Sequence, residues 1–151
     1  MAVNDTDPFW TSWGSDGAVL KAPTSGGTPI VLAAGQPGQC DVAVDGTNAY
    51  FANQLGNANG SVEAVALGGG ALVDLATMQA APTGIACDAS GVYWVNYGAS
   101  SSPGAVLRAT PGKGGARTVL VKDAAEANAI AVGDTAVFWA DLNGSIAKVA
   151  K

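Results

Sequence analysis

Histidine is absent from the 151 residues, so the chain has no imidazole to act as general base near neutral pH, to activate a nucleophile or to hold a metal. Nucleophilic triads and histidine-dependent lyase chemistry are excluded with it. The chemistry that remains is that of carboxylates, thiols, amides and aromatic rings. Asp41, Asp45, Asp88 and Asp141 are the acidic side chains to weigh as a glycosidase-type pair, which needs two carboxyl groups within about 10 Å in one pocket. Asp45 and Asp88, however, hold equivalent places in a repeated phrase whose other copies have Asn4 and Gly133. Asp, Asn and Gly share turn chemistry, not proton transfer. No EF-hand or nonapeptide pattern surrounds these carboxylates. The expectation is no catalytic residue, no metal and no cofactor.

Cys40 and Cys87 are too few for a disulfide framework and have no neighbouring His or Cys for a metal site. They read either as two small buried hydrophobes or as a bridge between neighbouring repeats. The glycine-rich stretches Leu67–Leu72 and Pro111–Arg117 do not open a helix after a strand, and Lys113 is outside any phosphate-loop frame. They read as turns.

A second set of polar and aromatic residues shares one register. Trp13, Gln54, Tyr97 and Leu142 stand in equivalent positions, preceded by Ser12, Asn53, Asn96 and Asp141. Trp13 and Tyr97 could stack on the apolar face of a sugar while Asn53, Gln54, Asn96 and Asp141 orient its hydroxyls. The competing reading has the aromatics packed under neighbouring loops and the Asx residues capping turns.

What fixes this register is a nine-residue phrase stated four times: AVNDTDPFW from Ala2, AVDGTNAYF from Ala43, ACDASGVYW from Ala86 and AVGDTAVFW from Ala131. The periods, 41, 43 and 45 residues, are those of a solenoid or propeller. Each unit carries four short runs rich in Val, Ile, Tyr and Trp between turn residues, as in 83–88, 91–96, 104–110 and 117–121. Such runs are strands, and four antiparallel strands per unit make a propeller blade. The fold class expected is all-β, a single domain of propeller blades with repeats at 1–42, 43–85, 86–130 and a partial 131–151. Bulky aromatics adjacent in one strand, such as Tyr93 and Trp94, require both sheet faces to be covered. Stacked blades would cover them.

The interval from the first alanine of the phrase to its last aromatic is constant, and so is the 11-residue interval from Leu32, Leu75 and Leu120 to the next phrase. Gly26-Gly27, Gly69-Gly70 and Gly114-Gly115 mark the third-to-fourth turns. Length variation falls in the loop between second and third strands, which shares one face of the blade with the interblade connections. Repeat proteins place variation on the binding face, so that face is the candidate site.

The tetrapeptides Phe9–Ser12, Tyr50–Asn53, Tyr93–Asn96 and Phe138–Asp141 resemble degenerate YWTD repeats. The wider phrase PTGIACDASGVYWVN is similar to repeats of secreted bacterial propellers related to the YWTD and NHL groups. The resemblance implies rings of six or seven blades, protein or glycan ligands and an extracytoplasmic setting.

The chain is 48% apolar and only 13% charged, against about 25% charged for an average domain, so much of its surface is expected to be covered. Its net charge of −5 and scattered basic residues exclude a nucleic-acid footprint. No apolar stretch is long enough to span a membrane, and the start, MAVNDTDPFW, does not read as a signal peptide. Three and a half units cannot close a ring of ordinary size, and no repeat reads as a polar cap. The reading is a non-enzymatic module that assembles with copies of itself, preferably as a dimer of eight blades, and serves as a binding or scaffold unit for a glycan or protein. The alternatives are a lectin using the variable-loop face and a truncated fragment of a longer secreted propeller.

Overall fold

The computed structural model describes the chain apart from residues 56–57, 99–101 and 112–116 and the side chains of Gln39 and Cys40. Among the described residues the chain is all-β, arranged as four consecutive antiparallel sheets with no helix. The first blade is β1 (Ala2–Val3), β2 (Pro8–Ser12), β3 (Ala18–Lys21) and β4 (Ile30–Ala33). The second is β5 (Gln39–Val44), β6 (Asn48–Asn53), β7 (Gly60–Ala66) and β8 (Val73–Gln79); the third is β9 (Pro82–Asp88), β10 (Gly91–Asn96), β11 (Ala105–Ala109) and β12 (Arg117–Lys122). The last has three strands, β13 (Ala127–Val132), β14 (Ala136–Asp141) and β15 (Ile146–Ala150). Strands neighbour one another in chain order within every sheet, and the ring they begin is not closed. The phrase starts inside the inner strands β5, β9 and β13, so boundaries at 42/43, 85/86 and 130/131 cut a strand each.

Each blade uses its aromatic pair in opposite directions. The first aromatic packs toward the following blade and the second toward the preceding one, because adjacent strand residues point to opposite faces. Phe9 and Phe51 share the core between the first two blades. Tyr50 and Trp94 share the next, and Tyr93 with Trp139 the third. Phe9, Tyr50, Phe51, Tyr93 and Trp94 are fully buried, each such side chain contributing about 1.5–3 kcal/mol or somewhat more for the larger rings. Strands β6 and β10, inside the arc, are buried on both faces, whereas β14 is mostly half-buried and β15 largely exposed.

The two end faces of the arc carry equivalent residues with no neighbouring blade of this chain over them. On the last blade, Phe138 is 38% and Ile146 78% exposed, and with Ala131 they line an apolar hollow of about 260 Å³. The equivalent residues of the second blade are Ala43, Tyr50 and Val62, which receive Trp94. On the first blade, the residue equivalent to Trp94 is Trp10, half-exposed on the open face together with Leu20 and Val31 of the same cross-strand row.

Between blades the chain turns through two left-handed residues. They are Gly35 and Gly38, then Met78 and Ala81, then Asp123 and Glu126, with φ between 54° and 70°. Only the first connection uses glycine, the residue that takes this conformation without steric cost. The Gly26-Gly27 and Gly69-Gly70 pairs also have positive φ in their turns; Gly114-Gly115 lies outside the described residues. Met78 is 76% exposed with φ 54°, so its side chain gives little packing in return for the strain. Met78→Gly is expected to raise stability by about 0.5–1 kcal/mol, read as an upward shift of the denaturant midpoint at unchanged slope.

Candidate functional site

The connections and the second-to-third loops meet on one side of the arc, held by a repeated hydrogen bond. The amide N–H that follows each tetrapeptide donates to a connection carbonyl: Gln54 to Gly38 (2.7 Å), Tyr97 to Ala81 (2.9 Å) and Leu142 to Glu126 (3.2 Å). The acceptor in each case is the second left-handed residue, so the turn aims its carbonyl at the neighbouring loop. This fixes the backbone of three of the four residues singled out by register. Trp13 occupies the same place in the first blade.

Trp13, Gln54, Tyr97 and Leu142 line a single cavity of about 540 Å³. Its other wall is the start of the inner strands, where Asp41, Thr83 and Asn128 contribute. Trp13 is 80% exposed; Gln54 and Tyr97 are half-buried and Asn128 is exposed. The Thr83 hydroxyl donates to the Ala127 carbonyl (3.0 Å), which leaves its oxygen lone pairs for a ligand donor. The Asp41 carboxylate accepts from the N–H of Val42 (2.9 Å) and of Ile85 (3.3 Å) and lies 3.5 Å from the Met1 ammonium. It ties the second inner strand to the third.

Asn53, Asn96 and Asp141 do not line this cavity. Asn53 is buried, and its Nδ2 donates toward Gln36 Oε1 (2.8 Å) and Glu63 Oε1 (3.0 Å). Asn96 is buried likewise, with Nδ2 3.2 Å from Gln79 Oε1, an oxygen that also accepts from Trp94 Nε1 (3.1 Å). Asp141 Oδ1 accepts from the N–H of Asn143 and of Ser145 (both 3.0 Å), closing its own turn. Their places are therefore structural: two Asn side chains lock a blade to the Gln of the preceding connection, and the Asp caps a loop. Gln36 and Gln79 were readable as partners, since each stands four residues beyond the constant leucines Leu32 and Leu75. The third such position is Ala124, and the tetrapeptide it faces ends in Asp141, not Asn.

The acidic pair Asp45 and Asp88 lies at the other ends of the inner strands. Asp45 Oδ1 accepts from the N–H of Thr47 and Asn48 (both 2.7 Å), and Asp88 Oδ1 from those of Ser90 (2.8 Å) and Gly91 (3.2 Å). Asn4 makes the same turn with Thr6 and Asp7. Burial raises the Asp45 carboxyl, but donors outweigh it, the Tyr50 hydroxyl first (2.6 Å), and hold it below its ordinary value. Burial and the Asp45 bond push the Tyr50 hydroxyl up in turn. Asp88 is pulled the same way: against burial, its bond to Lys151 and those to Ser90 bring it down to about 2. Cys87 is a free, half-buried thiol raised to about 11, by burial first and then by the Asp45 and Asp88 charges. The Cys40 side chain lies outside the described residues. Among the described residues no three His, Cys, Asp or Glu side chains converge on a metal-sized site, and no helix is long and apolar enough to cross a membrane.

No family model matches the chain, and no curated protein matches it. Solved structures do. The crystal structure of the computationally designed Ika4 protein superposes with a TM-score of 0.67 at 18% identity, covering 99% of this chain and 88% of that one. TolB from Acinetobacter baumannii gives 0.61 at 14% identity, covering 96% of this chain and 41% of TolB. The chain thus spans less than half the length of TolB. At these identities the likeness establishes the β-propeller fold and nothing finer.

Two outcomes follow for these structural ties. Gln79→Ala orphans the buried donors of Trp94 and Asn96 and is expected to lose about 1–3 kcal/mol for each; Gln36→Ala, whose partner Asn53 keeps Glu63, should lose less in the same urea titration. Asp88 has a folded pKa of about 2 against an ordinary 3.8, so its contribution is complete above pH 4 and is lost as pH falls toward 2. Asp88→Asn keeps the turn acceptor and loses the charge. The stability gap between the two proteins should close between pH 4 and 2.

Proposed function

We propose that this chain is a half-ring that closes a β-propeller with a second copy of itself, and that the assembled ring is a non-enzymatic scaffold with its binding face on the variable loops. One observation carries the reading. The hollow on the last blade, lined by Ala131, Phe138 and Ile146, repeats the residues that seat Trp94 inside the arc, and Trp10, the counterpart of Trp94, stands half-exposed on the opposite end face. Placing the Trp10 face of one copy on the Phe138 face of another makes a fourth instance of an interface that the chain already forms three times.

Both ends carry complementary and different surfaces, so the contact is head to tail. Such contacts close into a ring or run on as a filament. Two copies give eight blades and satisfy both pairs of ends. If each contact covers a standard area of about 800 Å² per partner, the apolar part contributes several kcal/mol at about 25 cal/mol per Å². The low charge content of the chain supports covered faces. A kinship with YWTD and NHL propellers is supported by the four tetrapeptides. The absence of enzyme chemistry is supported by the use of Asp45, Asp88 and Asp141 as turn acceptors and by Asp41 being the one carboxylate among the described residues that line the cavity.

Light scattering coupled to size exclusion tests the reading. The expected mass is twice that of the 14.8 kDa chain, independent of dilution over the micromolar range. Phe138→Glu and Trp10→Glu, each placing a charge on one end face, should both give folded monomers with the wild-type circular dichroism spectrum. A wild-type monomer at high concentration sinks the proposal; a larger closed ring overturns the count of eight blades.

A further inference from the structure

The geometry points to an uncharged oligosaccharide as the ligand of the cavity between Trp13, Gln54, Tyr97 and Asn128. This deepens the binding half of the reading above and does not need its assembly half, because every lining residue it uses belongs to one chain. At about 540 Å³ it falls in the range of small-molecule sites, about 300–1,000 Å³.

The lining decides between ligand classes. Trp13 keeps 80% of its surface in solvent, beside Gln54, Tyr97 and Leu142, whose backbones are each held by a hydrogen bond to a connection. An exposed indole gains most from a partner with a flat apolar face. The cavity's polar groups are neutral donors and acceptors: the amides of Gln54 and Asn128, the hydroxyls of Thr83 and Tyr97. These match ligand hydroxyls, each of which gives one hydrogen bond and takes others. Among the described residues no Lys or Arg lines the cavity, so a phosphate or a uronic acid would enter without a counter-charge from them. Asp41 is the one acidic group among the described lining residues, and each of its oxygens already accepts an amide N–H, from Val42 and from Ile85. A cationic ligand would find a single carboxylate shared with two amides and no second one to complete its pairing. A neutral sugar has no such conflict.

The four rim residues descend from four equivalent positions, so consecutive blades present Trp, Gln, Tyr and Leu around one opening. A linear chain of sugars lying across the opening meets two aromatic platforms with an amide between them. The ligand is therefore an oligosaccharide of several units, and a single hexose, which reaches one platform, binds less tightly.

The experiment titrates wild-type protein with cellohexaose, maltohexaose, laminarihexaose and mannohexaose, with a tetragalacturonate as the acidic control, following tryptophan emission and saturation-transfer NMR. At least one neutral hexasaccharide should saturate, with its monosaccharide at least tenfold weaker. Trp13→Ala and Tyr97→Ala should each weaken it by about tenfold, the size of one aromatic stacking contact. Trp13 is solvent-exposed, so its variant should keep the wild-type melting temperature. The monomeric Phe138→Glu protein should bind within threefold of wild type, so failure of the assembly reading leaves this result standing. No saturation by any neutral hexasaccharide at 10 mM, unchanged affinity in Trp13→Ala, or preference for the galacturonate overturns the proposal.

Discussion

Interblade burial of two oppositely directed aromatics is the contact on which the rest of the fold depends. A strand points adjacent side chains to opposite faces, so an aromatic pair in the second strand of a blade commits both faces to being covered. Phe9 against Phe51, Tyr50 against Trp94 and Tyr93 against Trp139 meet that demand inside the arc. At the ends it is unmet. The partial exposure of Trp10 and Phe138 follows from the same rule that buries Tyr93 and Trp94 completely.

A second layer of constraint turns stacking into a fixed angle between blades. Each connection passes through two left-handed residues and returns a carbonyl to the loop of the next blade. Where the connection also carries Gln36 or Gln79, a buried Asn of the following blade is held by its amide. The strain of a left-handed Met, Ala, Asp or Glu persists because packing and hydrogen bonds on both sides leave the chain no other path. That rigidity lets loop residues of different blades converge on one cavity. Close approach is enforced by glycine at the start of the third strands: a Cβ on Gly104 would come within 2.1 Å of the Ala124 carbonyl oxygen.

The site was half legible. Trp13, Gln54, Tyr97 and Leu142 share a register, and the structure places all four on one cavity. Asn53, Asn96 and Asp141, one residue earlier, read as hydroxyl-binding groups by chemistry alone. Alternation along the strand turns Asn53 and Asn96 inward, where their amides serve the neighbouring blade, and a local turn takes Asp141. The cavity wall from Asp41, Thr83 and Asn128 was not visible, because those residues lie 42 to 45 apart in the chain and meet only when the inner strands line up around one axis.

Repetition in the amino-acid sequence was sufficient for the blade: the phrase, its constant intervals and the turn residues specify strand, turn and order, all of which are local properties. The Asx turns at Asn4, Asp45 and Asp88 belong to the same class, since each closes within three residues. The tertiary structure alone decided which of two neighbouring residues faces the cavity and which locks the blades. It also decided that Trp10 and Phe138 stand partly exposed on the two end faces of the arc. Those outcomes depend on the direction of side chains after the blades have stacked, and a repeat period contains the distance between equivalent residues but not the direction in which they point.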